Sequence, residues 1–177
     1  MKRVLCILET GFEEIETVTP VDLLRRAGIK VVMAGVSTLM VTGRSGISIQ
    51  ADALLEDTEL ADFDVLFLPG GPAVMELRKN DRVLEIIRKF HTENKPIAAI
   101  CAAPLLLHDA GILKGKAFTS HVSTMTELPQ SNGQAVVLSE NLFTSRGAGT
   151  AMEFGLALIG ALIDHATAAE VSKAIMA

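Results

Sequence analysis

No tryptophan or tyrosine occurs in this chain, and phenylalanine is its only aromatic residue. Single-stranded nucleic acids are held largely by bases stacking on aromatic side chains, so that mode of binding is poorly supplied. Positive charge is also in deficit: 16 Lys and Arg stand against 21 Asp and Glu, a formal net charge of -5. Such a chain gains nothing from releasing phosphate counterions, and no general nucleic-acid role is expected. Cysteine is nearly absent, with only Cys6 and Cys101. Disulfide-stapled domains carry more cysteines in smaller chains, so a reduced, cytoplasmic protein is expected. Neither a CxxC nor an HExxH motif occurs, and no metal site is expected from spacing.

Long apolar runs are missing too. Val4 to Leu8 is too short for a signal-peptide core and is followed by Glu9; a targeting leader is not expected. The longer apolar stretches are broken by charge or glycine, so neither is a membrane span. What the chain does have is a large supply of core material: 49% of its 177 residues are hydrophobic and 21% charged. That balance suits one folded domain over residues 1–177.

Apolar runs bounded by turn signals predict strands at Val4–Leu8, Lys30–Val36, Asp64–Leu68, Pro96–Cys101, Phe118–Thr119, Ala135–Leu138 and Leu142–Ser145. Met40–Ile49, with Gly43 and Gly46, reads as a hairpin or an irregular pair of strands. Helical spacing is found at Glu13–Arg26 (Ile15, Val18, Val21, Leu24), Asp81–Thr92, Ala102–Ala110, Gly149–Asp164 and Thr167–Met176. Pro20 should kink the first of these helices, and Asp81 is a candidate N-cap of the second. Strands alternating with helices imply an α/β fold: a three-layer sandwich of flavodoxin-like type with a mostly parallel sheet. Sites in such folds form beyond the carboxyl ends of strands. That rule selects Glu9–Glu16, Pro69–Pro72 and Cys101–Pro104.

The third segment is the most informative. In Ile97-Ala98-Ala99-Ile100-Cys101-Ala102-Ala103-Pro104 an apolar strand runs into a cysteine followed by small residues, as a tight nucleophile turn requires. A helix start behind the thiol would make it more acidic. A buried core cysteine is the competing reading of the same stretch. Cys6, mid-strand, reads as core. Glu13, Glu14 and Glu16 suit the first turn of a helix. Glu16 shares a face with Thr19, Pro20 and Leu23 that points partly inward, where a carboxyl would keep its proton and could donate to a thiolate. Gly70-Gly71 allows a backbone amide to face an oxyanion together with the amide of Ala102. His91, His108 and His165 fall in predicted helices and read as structural, whereas His121 follows a predicted strand and could reach the site. Arg25, Arg26, Arg44 and Arg146 could bind an anion or lie at an interface.

Taken together, several segments resemble the ThiJ/PfpI superfamily, specifically a bacterial-type member of its DJ-one branch, that of the Parkinson-disease-associated protein. They are Gly11-Phe12-Glu13-Glu14-Ile15-Glu16-Thr17, Pro20-Val21-Asp22, Arg25–Val31, Leu68–Gly71, Ala98–Pro104 and Thr144–Thr150. The resemblance implies Cys101 as the reactive cysteine, Glu16 as its protonated glutamate, His121 as the site histidine, and the amides of Gly71 and Ala102 as oxyanion donors. Arg44 and Arg146 match positions near the pocket or a dimer interface. The branch usually has Gly-Pro-Gly where this chain has Gly147-Ala148-Gly149, so that loop is expected to be looser. The last helix is expected to be shorter than in some relatives.

The resemblance implies a homodimer and one of three roles for Cys101. The first is a cofactor-free glyoxalase or deglycase acting on methylglyoxal, glyoxal and their adducts. The others are an oxidative-stress sensor and a redox-regulated chaperone. The protease branch places histidine directly after the cysteine; Ala102 stands there in this chain, and peptidase activity is not expected.

Overall fold

The computed structural model describes residues 1–177. Its main sheet has seven strands: β1 (Arg3–Leu8), β2 (Lys30–Gly35), β5 (Ala53–Leu54), β6 (Val65–Leu68), β7 (Ile97–Ile100), β8 (Val136–Ser139) and β9 (Leu142–Ser145). They lie in the order β5-β2-β1-β6-β7-β9-β8. All neighbours are parallel except β8 and β9, which form an antiparallel edge. A separate antiparallel hairpin, β3 (Met40–Thr42) with β4 (Ser48–Gln50), fulfils the hairpin expectation for Met40–Ile49.

The strands are continuous apolar runs because both faces are covered. Leu5, Ile7, Leu66, Leu68, Ile97 and Ala99 point into one core, with α3 (Asp81–Thr92) and α4 (Pro104–Asp109) over them. Val4, Cys6, Leu8, Phe67, Ala98 and Ile100 point into the other, under α1 (Glu14–Arg26), α5 (Ala151–Leu162) and α6 (His165–Ala174). The helix α3 buries Val83, Leu84, Ile86, Ile87 and Phe90, one stripe at helical spacing. Asn80, rather than Asp81, is its N-cap, accepting from the Val83 amide at 3.3 Å.

Several boundaries differ from the sequence reading, each for a physical reason. The helix α1 is one element through Pro20. Gly155 of α5 sits against that stretch, where an added Cβ would come within 2.6 Å of Leu23 and 3.2 Å of the Pro20 Cα. Contact between the helices thus supports the backbone that the proline weakens. The buried face of α1 includes Glu16, Thr17, Pro20 and Leu23, while Ile15 and Val18 are 54% and 47% exposed. Phe118–Thr119 is not a strand. Thr119 instead donates its amide to Thr144 Oγ1 and its hydroxyl to Gln134 O, at 3.0 and 2.8 Å, so side-chain bonds replace a ladder. The helix after Cys101 starts at Pro104, which fits the first helical position. A 3-10 turn, Ala148–Thr150, precedes α5. The short helix α2 (Val74–Leu77) and the two-residue β5 have no counterpart in the sequence reading.

The chain moves outward from β1 to β2, then crosses back to β6 on the other side of β1. The loops leaving β1 and β6 therefore diverge and open a crevice at their carboxyl ends. Segments 9–13 and 69–73 form its walls, and Cys101 follows the next strand, β7.

Candidate functional site

Cys101 directly follows β7 with φ of 65°, a left-handed conformation that a side chain other than glycine rarely adopts. Two main-chain bonds hold it there. Its amide donates to Ser145 O on β9, and its carbonyl accepts from the His121 amide, each at 2.8 Å. The sharp turn projects the sulfur, half-buried, into the crevice.

Glu16 reaches the same point from α1. It is 1% exposed, and its Oε2 accepts from the Gly70 amide at 3.1 Å. Glu13 caps the helix beside it, accepting from the Glu16 amide at 2.7 Å. Glu14 turns the other way and accepts from the Ser45 amide at 2.7 Å, tying α1 to the hairpin loop. The three neighbouring acids thus have three separate tasks.

Both glycines of the Gly70-Gly71 turn are dictated by space. A Cβ on Gly70 would lie 2.4 Å from Glu16 Oε2 and 2.7 Å from the Cys101 Cβ. Gly71 has φ of +95°, and a Cβ there would lie 2.5 Å from Gly11 O. Their absence of side chains lets the main chain pass against the thiol and carboxyl, and the amides of Gly71 and Ala102 both donate toward the Cys101 sulfur.

Burial pushes the Glu16 carboxyl up to about 7. Burial also pushes the Cys101 thiol up to about 12 beside a charged Glu16, whose charge and hydrogen bond are the next causes, against the amides of Ala102 and Gly71. The acidity of the thiol is therefore tied to the protonation of the carboxyl beside it. The sulfur and carboxyl form a pair in which both cannot ionise together near neutrality, because like charges in one buried site repel. Cys6 is different: it is fully buried in β1, and burial pushes its thiol upward.

A cavity of about 510 Å³ opens over the sulfur, and Glu16, Arg44, Gly71, Ala102 and His121 share its lining with Cys101. His121 is oriented by a 2.8 Å bond between its Nδ1 and Ser123 Oγ. Arg146 is not brought in. It lines an adjoining cavity of about 680 Å³, which shares His121 and Ala148 with the first. There its Nη1 donates to Gly133 O at 3.0 Å. Arg25 and Arg26 lie elsewhere, paired with Asp52 and Asp22. His108 and His165 are exposed on helices, away from this cavity. Ser123 and Glu127 also line the cavity and escaped the sequence reading. Only the spacing of Ser123 from His121 could have signalled the former. No three His, Cys, Asp or Glu side chains converge as metal ligands would, and no helix is long and apolar enough to cross a membrane.

A doubly wound sheet with a cysteine on a strained strand-to-helix turn, flanked by a buried glutamate and a Gly-Gly turn, defines the class. The family model described as "DJ-1/PfpI family" matches residues 2–161. The crystal structure of Drosophila melanogaster DJ-1beta superposes with a TM-score of 0.93 at 37% identity, covering 99% of this chain and 97% of that one. Deglycase PfpI of Pyrococcus furiosus is 33% identical over 151 residues, 83% of this chain and 91% of its own length. Protein DJ-1 homolog B of Arabidopsis thaliana is 33% identical over 179 residues; the match takes in 98% of this chain but only 41% of that longer protein. The chain belongs to the DJ-1/PfpI family.

Proposed function

We propose that this protein is a cofactor-independent glyoxalase or deglycase-type enzyme acting on methylglyoxal, glyoxal and their adducts through Cys101. The observation that carries this reading is the arrangement at one sulfur: a strained turn, a buried carboxyl beside it, and a Gly-Gly turn packed so close that a Cβ on Gly70 would meet both Glu16 and Cys101. Relatives named deglycases support it. The cavity is also of a size that holds a drug-like ligand. It therefore has room for an adduct as well as a free three-carbon dicarbonyl.

The shared proton of the pair rests on Glu16. That carboxyl is 1% exposed, whereas the half-buried sulfur receives two amides and precedes α4. The charge therefore costs less on sulfur. The sulfur attacks the aldehyde carbon, forming a C–S bond as the carbonyl π pair moves onto oxygen. The amides of Gly71 and Ala102 hold that oxyanion. Glu16 then protonates it, giving a hemithioacetal and a carboxylate. The carboxylate takes the proton from the former aldehyde carbon, and the hydroxyl proton there passes to the ketone oxygen through the enediol. Glu16 returns its proton to the neighbouring carbon, leaving a thioester. Water cleaves the thioester to a hydroxy acid and restores the thiol. The net reaction adds one water to methylglyoxal and needs no external oxidant or reductant. His121 assists in moving protons.

Production of D-lactate from methylglyoxal by the purified protein tests this reading, in a buffer free of Tris. Turnover above that of Cys101→Ser is the expected result. A second reading uses the same sulfur as an oxidation sensor, favoured by the two amides, which would also stabilise a sulfinate. It predicts no turnover, and a gain of two oxygens at Cys101 in modest peroxide.

We also propose a homodimer. Ile15 and Val18 on α1, Ile47 in the hairpin loop and Met152 on α5 are each about half exposed or more. Glu14 binds the hairpin loop to α1, and α1 packs on α5, so these side chains belong to adjoining elements. Scattered apolar exposure is ordinary, but a contiguous patch points to a partner. Sedimentation equilibrium should give twice the chain mass at micromolar concentration, and Ile15→Lys should shift it toward one. A wild-type monomer would remove the proposal.

A further inference from the structure

One side chain ties together the three segments that carry the candidate site. Gly71 leads through Pro72 into α2, and Arg78 is the residue that caps its end. Cys101 leads into α4, whose last residue is Asp109. His121 leads into a 3-10 turn, Val122–Thr124, and then to Glu127. The Arg78 guanidinium meets both acids. Nε and Nη2 donate to Asp109 Oδ2 and Oδ1 at 2.6 and 2.9 Å, while Nη1 and Nη2 donate to Glu127 Oε1 and Oε2 at 2.9 and 2.6 Å.

We propose that Arg78 is a positioning residue that sets the Gly71 amide, Cys101 and His121 in register with one another. This inference rests on the site assigned above and deepens it. Two bidentate pairs on one planar fork specify direction as well as distance. Most ion pairs on a protein surface contribute little. This one is partly shielded, with the Arg78 and Asp109 side chains only 18% and 20% exposed. The hydrogen bonds that the guanidinium donates to Asp109, and then to Glu127, push its already high pKa further up. Glu127 faces the Cys101 cavity and Arg78 does not line it, so Arg78 acts through its partners rather than on a substrate. The sequence gives no sign of the arrangement, because the acids lie 31 and 49 positions from Arg78.

The test is Arg78→Lys, which keeps the charge but cannot fork to two carboxylates. If the network sets the amides against the sulfur, loosening it weakens the hydrogen bonds that favour thiolate. The ultraviolet thiolate titration of Cys101 should move up by about half a unit, roughly threefold less thiolate at a fixed pH below the midpoint. Glu127→Gln, which leaves the Arg78–Asp109 pair in place, should shift it less in the same direction. The double variant should go no further than Arg78→Lys alone, as expected of groups in one network. Where turnover is measurable, kcat should fall about tenfold with KM within about twofold. The thiolate readout needs no substrate, so it remains decisive if the carbonyl reading fails. Should Arg78→Lys not fold, Glu127→Gln carries the test. A lower melting temperature with an unchanged Cys101 titration would overturn the proposal and leave the network a plain stabilising contact.

Discussion

Replacing Cys101 with serine is expected to cut methylglyoxal turnover at least about a hundredfold, the scale on which loss of a group acting in the transition state is felt. The oxygen is close to sulfur in shape, so the turn held by Ser145 O and the His121 amide should survive. A serine hydroxyl, however, ionises far less readily than a thiol and is a weak nucleophile without a dedicated base. Glu16 is poorly placed to serve as one, because in the proposed cycle it begins by holding a proton. The remaining amides of Gly71 and Ala102 would leave only the residual rate that an oxyanion site gives alone. Circular dichroism and a melting temperature close to wild type should accompany the loss. Equal turnover by the two proteins would remove Cys101 from the chemistry and with it the enzymatic reading.

Glu16→Gln is expected to have the largest effect on stability, and its sign depends on pH. Burial raises the folded-state carboxyl to about 7, whereas the unfolded chain releases that proton near about 4.3. The stability of the buried neutral acid is therefore fully present below the unfolded value. It is lost as pH rises toward the folded value, because over that window the folded state binds more protons than the unfolded one. The full shift corresponds to about 4 kcal/mol, most of it between pH 4.5 and 7.5. The proton count is the pair's. The folded pair first ionises near the folded value, from sulfur and with Glu16 still protonated, whereas the unfolded chain has by then lost the carboxyl proton. Glutamine carries no titrating proton in either state. Urea unfolding at pH 4.5 and 7.5 should therefore show wild type losing about 3 kcal/mol relative to Glu16→Gln between the two conditions. A gap that stays constant would mean that Glu16 titrates normally and is an ordinary first-turn acid. In turnover, the variant keeps an amide donor beside the sulfur but cannot accept or deliver a proton, and a loss on the hundredfold scale is expected.

The strands were legible where a buried apolar run ends at a turn signal. Val4–Leu8, Asp64–Leu68 and Pro96–Cys101 emerge within a residue or two of their observed ends because both sheet faces are covered. Cys101 was legible for a related reason: only small residues can follow a sharp turn at the end of such a run. Glu16 was legible from its helical face. The same period misplaced Ile15 and Val18, which it grouped with Val21 and Leu24 although they face outward. Local pattern reports that a helix is amphipathic, but not what else covers it.

What could not be read is what distant segments impose on one another. The need for glycine at position 70 arises from Glu16 and Cys101, which only the fold brings there. His121 is fixed by the hydrogen bond its amide donates to the Cys101 carbonyl, not by a strand at Phe118–Thr119. Arg146 matches the resemblance yet opens onto the neighbouring cavity. The upward push on the Cys101 thiol is likewise a product of assembly, since it comes from burial and from a carboxylate on another element.

The central claim is that Cys101 and Glu16 hold one proton between them near neutrality and that it sits on Glu16. Thiolate absorbance near 240 nm, followed across pH in the wild-type protein with Cys101→Ser as the blank, reads the sulfur alone. The account predicts a thiolate that forms with a midpoint at or below about 7, where the pair first ionises, well under the value of about 8.5 for an ordinary cysteine. Absorbance that rises only toward about 12, the position to which a charged Glu16 drives the thiol, would put the proton on sulfur and contradict it.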